Sequence, residues 1–181
     1  MLDPVPGLVI ALASALLFGV AAWQKLRSWP QFAAALAAYG VVPAVLARPV
    51  ALVIPAAEAA IAAGLTSDSC RSYAALAGCV LLLAYAAGIG ANLWRGRLHL
   101  DCGCSGPGDR RPIAKWMVVR NALIALALAM DAAGWAPRAL GATDALTVAA
   151  AATAVVILYS AATLLLSLPM SGETPNPSEG S

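Results

Sequence analysis

The chain has 181 residues, 61% hydrophobic and 11% charged, with a net charge of +2. Soluble domains run to about 45–50% apolar and roughly 25% charged residues, so an ordinary soluble domain is excluded. The few basic residues are scattered rather than striped, which excludes a nucleic-acid surface, and four cysteines are too few for a secreted disulfide scaffold.

From the N-terminus the apolar residues fall into blocks. Leu8–Leu26 is the first. The residues before it, MLDPVPG, contain no basic n-region, and Lys25 and Arg27 follow the apolar run. That order predicts a retained span with its N-terminus outside, not a cleaved signal. Trp29–Tyr39, WPQFAAALAAY, is shorter and predicts an interfacial helix. Pro49–Leu65, Tyr73–Trp94, Ile113–Gly134 and Ala145–Leu168 predict four more spans. Each is close to the roughly 20 residues that cross a bilayer core, and backbone inside lipid must bond to itself, so the spans are helices. The tail, 169–181, is polar and rich in Pro, Ser and Gly, which predicts disorder. The expected fold is all-α: one polytopic membrane domain over 1–168, with four core helices plus a fifth C-terminal one, in a lipid bilayer.

Basic residues set the expected orientation. The links between spans one and two and between three and four, with their flanks, hold Lys25, Arg27, Arg48, Arg95, Arg97, Arg110, Arg111 and Lys115. The opposite side holds Arg71 and Arg138. Eight against two predicts that the link between spans three and four is cytoplasmic in a bacterial plasma membrane.

Three polar features fall inside the spans: Glu58 in span two, the Arg120-Asn121 pair in span four, and Asn92 at the end of span three. Ionisable groups at such depth are costly and face a partner or a cavity. At about 1.5 Å of rise per residue, Glu58 and Arg120 lie at roughly 15 and 10 Å from the same face, which predicts a Glu58–Arg120 ion pair joined by Asn92.

The link itself contains LHLDCGCSG, residues 98–106. Cys102 and Cys104 can form a disulfide only if the chain bends, and Gly103 permits the bend. A ring that small is strained and easily reduced, an exchangeable bond rather than a staple. Arg95, Arg97, Arg110, Arg111 and Lys115 favour the thiolate. His99, the sole histidine, can take up a proton and Asp101 can orient it. The same four residues, His99, Asp101, Cys102 and Cys104, also make a ligand set for zinc or Cu(I), although C-x-C is tight for zinc. Cys70 and Cys79 lie toward the other end of span three and read as structural.

In order along the chain, FGVAAWQKL, QFAAALAAYGVVP, IPAAEAAIAAGL, ANLWRGRLHLDCGCSG and VVRNALIAL resemble the MauE family of methylamine utilisation proteins, related to DoxX-like membrane proteins. The resemblance covers roughly residues 15–130. It implies a redox-associated membrane protein that supports disulfide formation or maturation of an exported partner, working with a thioredoxin-like, MauD-like protein. It implies Cys102 and Cys104 as the exchanging pair, with Glu58, Asn92, Arg120 and Asn121 as its membrane support, beside the His99 and Asp101 that the link itself offers. No cofactor follows from it, and a quinone is left open. Disulfide formation for export belongs outside the cytoplasm, whereas the charge count places this link inside. Either the basic link distorts the count, or electrons cross the membrane with Cys79 or Cys70 as a relay. The sequence thus points to thiol–disulfide exchange, as an oxidoreductase or its accessory. The other reading is a non-catalytic membrane subunit or metal-binding protein that stabilises a partner.

Overall fold

The computed structural model describes residues 3–40, 42–97, 113–134 and 139–167, and these form six helices. They are α1 (Pro4–Arg27), α2 (Trp29–Tyr39), α3 (Ala44–Leu65), α4 (Arg71–Trp94), α5 (Lys115–Ala132) and α6 (Ala142–Ser167). The stretches holding the C-x-C motif, Trp135–Arg138 and the polar tail lie outside the described residues.

Local chemistry fixes the helix ends. Asp3 caps α1, its carboxylate accepting from the Val5 N–H at 2.9 Å, and Pro4 occupies the first helical position, where a missing N–H costs nothing. One residue, Ser28, separates α1 from α2. Its N–H donates to the Gln24 carbonyl at 3.0 Å and its own carbonyl accepts from Phe32 at 3.0 Å, so helical bonding nearly carries through. The break follows from Pro30, which has no N–H to offer the Leu26 carbonyl and crowds it. The α2 helix stops at Gly40, which adopts the left-handed φ of 63° that glycine tolerates best. Phe32 and Ala33 of α2 are buried against Ala51 of α3. The short apolar piece is therefore a helix, as its composition predicts, with one face covered by protein.

Packing inverts the pattern of a water-soluble bundle. The centre is built of small residues: Ala11 and Ala15 of α1, Ala74 and Ala75 of α4 and Ala125 of α5, closed by Phe18, Ile61, Leu65, Leu82 and Leu128. Large apolar side chains face outward, among them Leu52, Val53, Val80, Leu123, Leu126, Leu158 and Leu165. Small residues inside let helices approach closely, and a continuous apolar exterior suits lipid. Four helices are long and apolar enough to cross a membrane: α1, α3 over Val45–Leu65, α4, and α6 over Ala142–Leu165. The α5 helix, within the expected fourth span, falls outside that set because its 18 residues carry Lys115, Arg120 and Asp131.

The α4 and α5 helices pack as an antiparallel hairpin, and α1 lies against α3, with α6 on its other side. The α6 helix buries little beyond Ala152 and leaves a cleft toward α5.

Candidate functional site

In α1, α3, α4 and α5 the buried polar residues share a stripe with the buried small ones. In α1 the stripe runs Gly7, Ala11, Ser14, Ala15, Phe18, Ala22, Lys25. In α3 it passes through Ala51, Pro55, Glu58, Ile61 and Leu65. In α4 it includes Ala74, Gly78, Leu82, Ala86, Ile89 and Asn92, and in α5 Met117, Asn121, Ala125, Leu128 and Asp131. Spacings of three and four keep each set on one face. The α1 and α5 stripes end in charges, Lys25 and Asp131.

Glu58 is 1% exposed and its Oε1 is doubly occupied. The Lys25 ammonium donates to it at 2.6 Å and the Tyr85 hydroxyl at 2.8 Å. The ammonium also stands 5.6 Å from the Phe32 ring centre and 5.5 Å from that of Tyr85. Aromatic faces hold a cation without competing for its carboxylate. Four helices, α1 through α4, thus contribute to one buried cluster. Glu58 Oε2 has no hydrogen-bond partner among the described residues.

The expected Glu58–Arg120 pair does not form. Equal depth along two helices does not bring side chains together; direction around the helix decides contact. Arg120 sits beside the buried stripe of α5, between Met117 and Asn121, and turns toward α6. Its guanidinium lies 5.1 Å from the Trp116 ring centre and 5.5 Å from that of Tyr159, and donates to Asn121 Oδ1 at 3.4 Å. The carboxylate is claimed instead by Lys25, whose place in the sequence marks only membrane sidedness. Its place at the end of the Ala11–Ala22 stripe was the available signal.

A second ion pair, not expected from the sequence, joins α4 to α5. Arg71 at the start of α4 forms a two-pronged bridge to Asp131 at the end of α5, Nε to Oδ2 at 3.1 Å and Nη2 to Oδ1. The forked guanidinium matches a carboxylate in this way. The bridge staples the hairpin at the end opposite the C-x-C link.

The roots of that link are anchored. Asn92 is fully buried, and its Nδ2 donates to the Tyr39 carbonyl at 3.3 Å and to the Gly88 carbonyl at 3.0 Å. Asn92 Oδ1 has no partner among the described residues. Arg97 lies close enough to the α2–α3 turn that a Cβ on Gly40 would meet its Nη1 at 3.4 Å. On the α5 side, buried Ile113 and Met117 close against Ile89. Asn92 and the Glu58 cluster thus lie along one stretch of α4, Tyr85 to Asn92, about 10 Å of helical rise.

His99, Asp101, Cys102 and Cys104 lie outside the described residues. Among the described residues no three metal-ligating side chains come together. Cys70 is exposed and Cys79 partly buried against the alanine-rich core, and they are not bonded to each other.

A family model, described as methylamine utilisation protein MauE, matches residues 4–136. The chain is 36% identical over 167 residues to the methylamine utilization protein MauE of Paracoccus denitrificans, covering 91% of this chain and 89% of that one. It is 38% identical over 157 residues to that of Paracoccus versutus, with 86% and 84% covered. Against that of Methylophilus methylotrophus it is 32% identical over 169 residues, with 92% and 89% covered. No solved structure matches.

Proposed function

The chain belongs to the MauE family of methylamine utilisation proteins, multi-pass membrane proteins, and on that premise we propose that it supports thiol–disulfide exchange through Cys102 and Cys104. The observation that carries this reading is the placement of the motif. The C-x-C pair lies in the link between two closely packed antiparallel helices, whose roots are fixed by Asn92 on α4 and by Ile113 and Met117 on α5. Basic residues flank it on both sides, and nearby positive charge favours thiolate.

In the step proposed, one thiolate attacks a sulfur of a disulfide in a thioredoxin-like partner and forms a mixed disulfide. The second thiol loses its proton and attacks the first sulfur, releasing the partner's thiolate. The partner leaves as a dithiol and Cys102–Cys104 as a disulfide; run backward, the same step oxidises the partner. Run backward, the step leaves Cys102 and Cys104 as thiols, and a quinone is the class of membrane-soluble acceptor compatible with their reoxidation. His99 and Asp101 serve the proton, while Glu58, Asn92, Arg120 and Asn121 keep the helices that carry the link in register.

This reading includes a fifth crossing by α5. Eighteen residues rise about 27 Å, close to the roughly 30 Å hydrocarbon core. Asp131 is neutralised by Arg71, and Arg120 is flanked by rings. With eight basic residues against two, the C-x-C link then faces the cytoplasm of a bacterium.

Trapping tests the exchange. Cys102→Ser and Cys104→Ser are expressed singly. The variant lacking the resolving thiol is expected to accumulate a covalent, reductant-sensitive complex with a thioredoxin-like protein, and the other none. Failure of both to trap a partner, together with stoichiometric zinc or copper lost in His99→Ala, would replace exchange with metal binding.

A further inference from the structure

Two contacts join the end of α4 to the end of α2. Asn92 Nδ2 donates to the Tyr39 carbonyl at 3.3 Å. The Arg97 guanidinium lies against Gly40, its Nη1 3.4 Å from where a Cβ would stand. A helix C-terminus concentrates negative charge on its last carbonyls, and α2 has no basic residue in its own last turn. Arg97 brings one from the end of α4. The way α4 ends sets its direction. Gly96 takes a φ of 70°, its N–H donates to the Leu93 carbonyl at 3.1 Å, and the Arg97 N–H donates to the Asn92 carbonyl at 3.0 Å. This is a Schellman closure. Asn92 therefore holds α2 with its side chain and Arg97 with its backbone. Cys102 follows five residues after Arg97.

The other end of α2 is held by Lys25. Its ammonium donates to Glu58 at 2.6 Å and stands 5.6 Å from the ring centre of Phe32, on the far side of the Ser28 break. One residue, Ser28, with φ −115° and ψ 36°, sets the direction of α2 against α1. Phe32 is the fourth residue of α2, so what holds its ring holds the tilt of the helix. Eleven residues rise about 16 Å, and a tilt of about 10° at Ser28 carries Gly40 about 3 Å. A shift of that size breaks the Asn92–Tyr39 hydrogen bond and parts Arg97 from Gly40.

We propose that Lys25 is a positioning residue for the Cys102–Cys104 pair. It acts through α2, which holds Arg97 at the root of the link. The assignment rests on the exchange reading and deepens it: the buried ion pair tunes the redox balance of the thiols. Positive charge held nearby favours thiolate, so an Arg97 that has lost its seat leaves the reduced pair less stable.

The test equilibrates the full chain, in neutral detergent and with Cys70→Ser and Cys79→Ser, against mixtures of reduced and oxidised glutathione. Alkylation and mass spectrometry then count the thiols. Lys25→Met is expected to shift the equilibrium constant about tenfold toward the disulfide, about 30 mV for a two-electron couple. Arg97→Gln is expected to shift it the same way, and the two together no further than either alone. Lys25→Arg keeps the cation and is expected to restore the original value. Lys25→Met combined with Glu58→Gln regains stability but not the cation on Phe32, so the shift is expected to persist. Should Lys25→Met fail to fold, Phe32→Leu keeps the ion pair, removes the ring and is expected to shift the constant in the same direction. Arg71→Met breaks the ion pair at the other end of α4 and is expected to leave the constant unchanged. An unshifted or opposite constant in Lys25→Met and Phe32→Leu, additive shifts with Arg97→Gln, or an equal shift in Arg71→Met would each overturn the assignment while leaving exchange intact. A pair that forms no couple with glutathione in any variant would overturn the exchange reading, and this one with it.

Discussion

Glu58 carries its two donors on one oxygen, with Lys25 at 2.6 Å and Tyr85 at 2.8 Å. Removing one member of a buried charge pair strands the other, a loss of about 3–5 kcal/mol. Lys25→Met and Glu58→Gln are each expected to lose folded protein on that scale in a detergent unfolding assay. The double variant is expected to recover about 0.5–3 kcal/mol of the summed losses, because neither charge is then left alone. Tyr85→Phe keeps the ion pair and is expected to lose about 1.5–3 kcal/mol, the range for a hydrogen bond to a charged group. Arg120 supplies the control. Combined with Glu58→Gln, Arg120→Gln is expected to be additive within about 0.5 kcal/mol, since the two side chains share no partner. A coupling energy as large as that for Lys25 would mean that Glu58 and Arg120 do interact.

At the level of helices, how much was legible depended on what kind of signal carried it. Composition and block length give helices at all five apolar runs and at WPQFAAALAAY, because hydrophobicity over about 20 residues is a one-dimensional property. Ion pairing is not. It needs the direction of each side chain, and that is recoverable only where buried residues mark a stripe. Lys25 ends such a stripe in α1 and Asp131 in α5, so both could have been found; Arg120 lies off its stripe and could have been rejected as a partner for Glu58. Helix breaks were partly legible too, since Pro30 lies just past the end of α1. The close approach of α3 to α4 was not. A Cβ on Gly64 would stand 2.7 Å from the Cβ of Ala74, so the two backbones meet there with no room for a methyl. Gly64→Ala is therefore expected to destabilise by about 1–3 kcal/mol through overpacking. Gly88→Ala, where nothing lies within 4 Å, is expected to be neutral or stabilising, and thermal melts of the two variants side by side check the contrast.

For the whole molecule, α4 relates the two groups of cysteines. Cys70 precedes its first residue and is exposed, and Cys102 and Cys104 lie in the link beyond its last. Its 24 residues rise about 36 Å, more than the hydrocarbon core. The two sites therefore belong to opposite faces of the membrane whichever way the chain is inserted. Cys79 offers no stepping stone by direct contact: nine residues past Cys70, it is about 14 Å along the helix, where sulfur must reach sulfur at bonding distance to exchange. In the orientation proposed from the basic residues, eight on the side of the C-x-C link against two on the other, that link is the cytoplasmic one. In intact cells a membrane-impermeant maleimide is expected to label a chain whose only cysteine is Cys70. A chain retaining only Cys102 and Cys104 is expected to react after permeabilisation alone. Labelling in the reverse pattern would invert the orientation and place the exchanging pair where exported proteins form their disulfides, with the bundle unchanged. Labelling of both chains from the same side would be incompatible with α4 as a crossing helix.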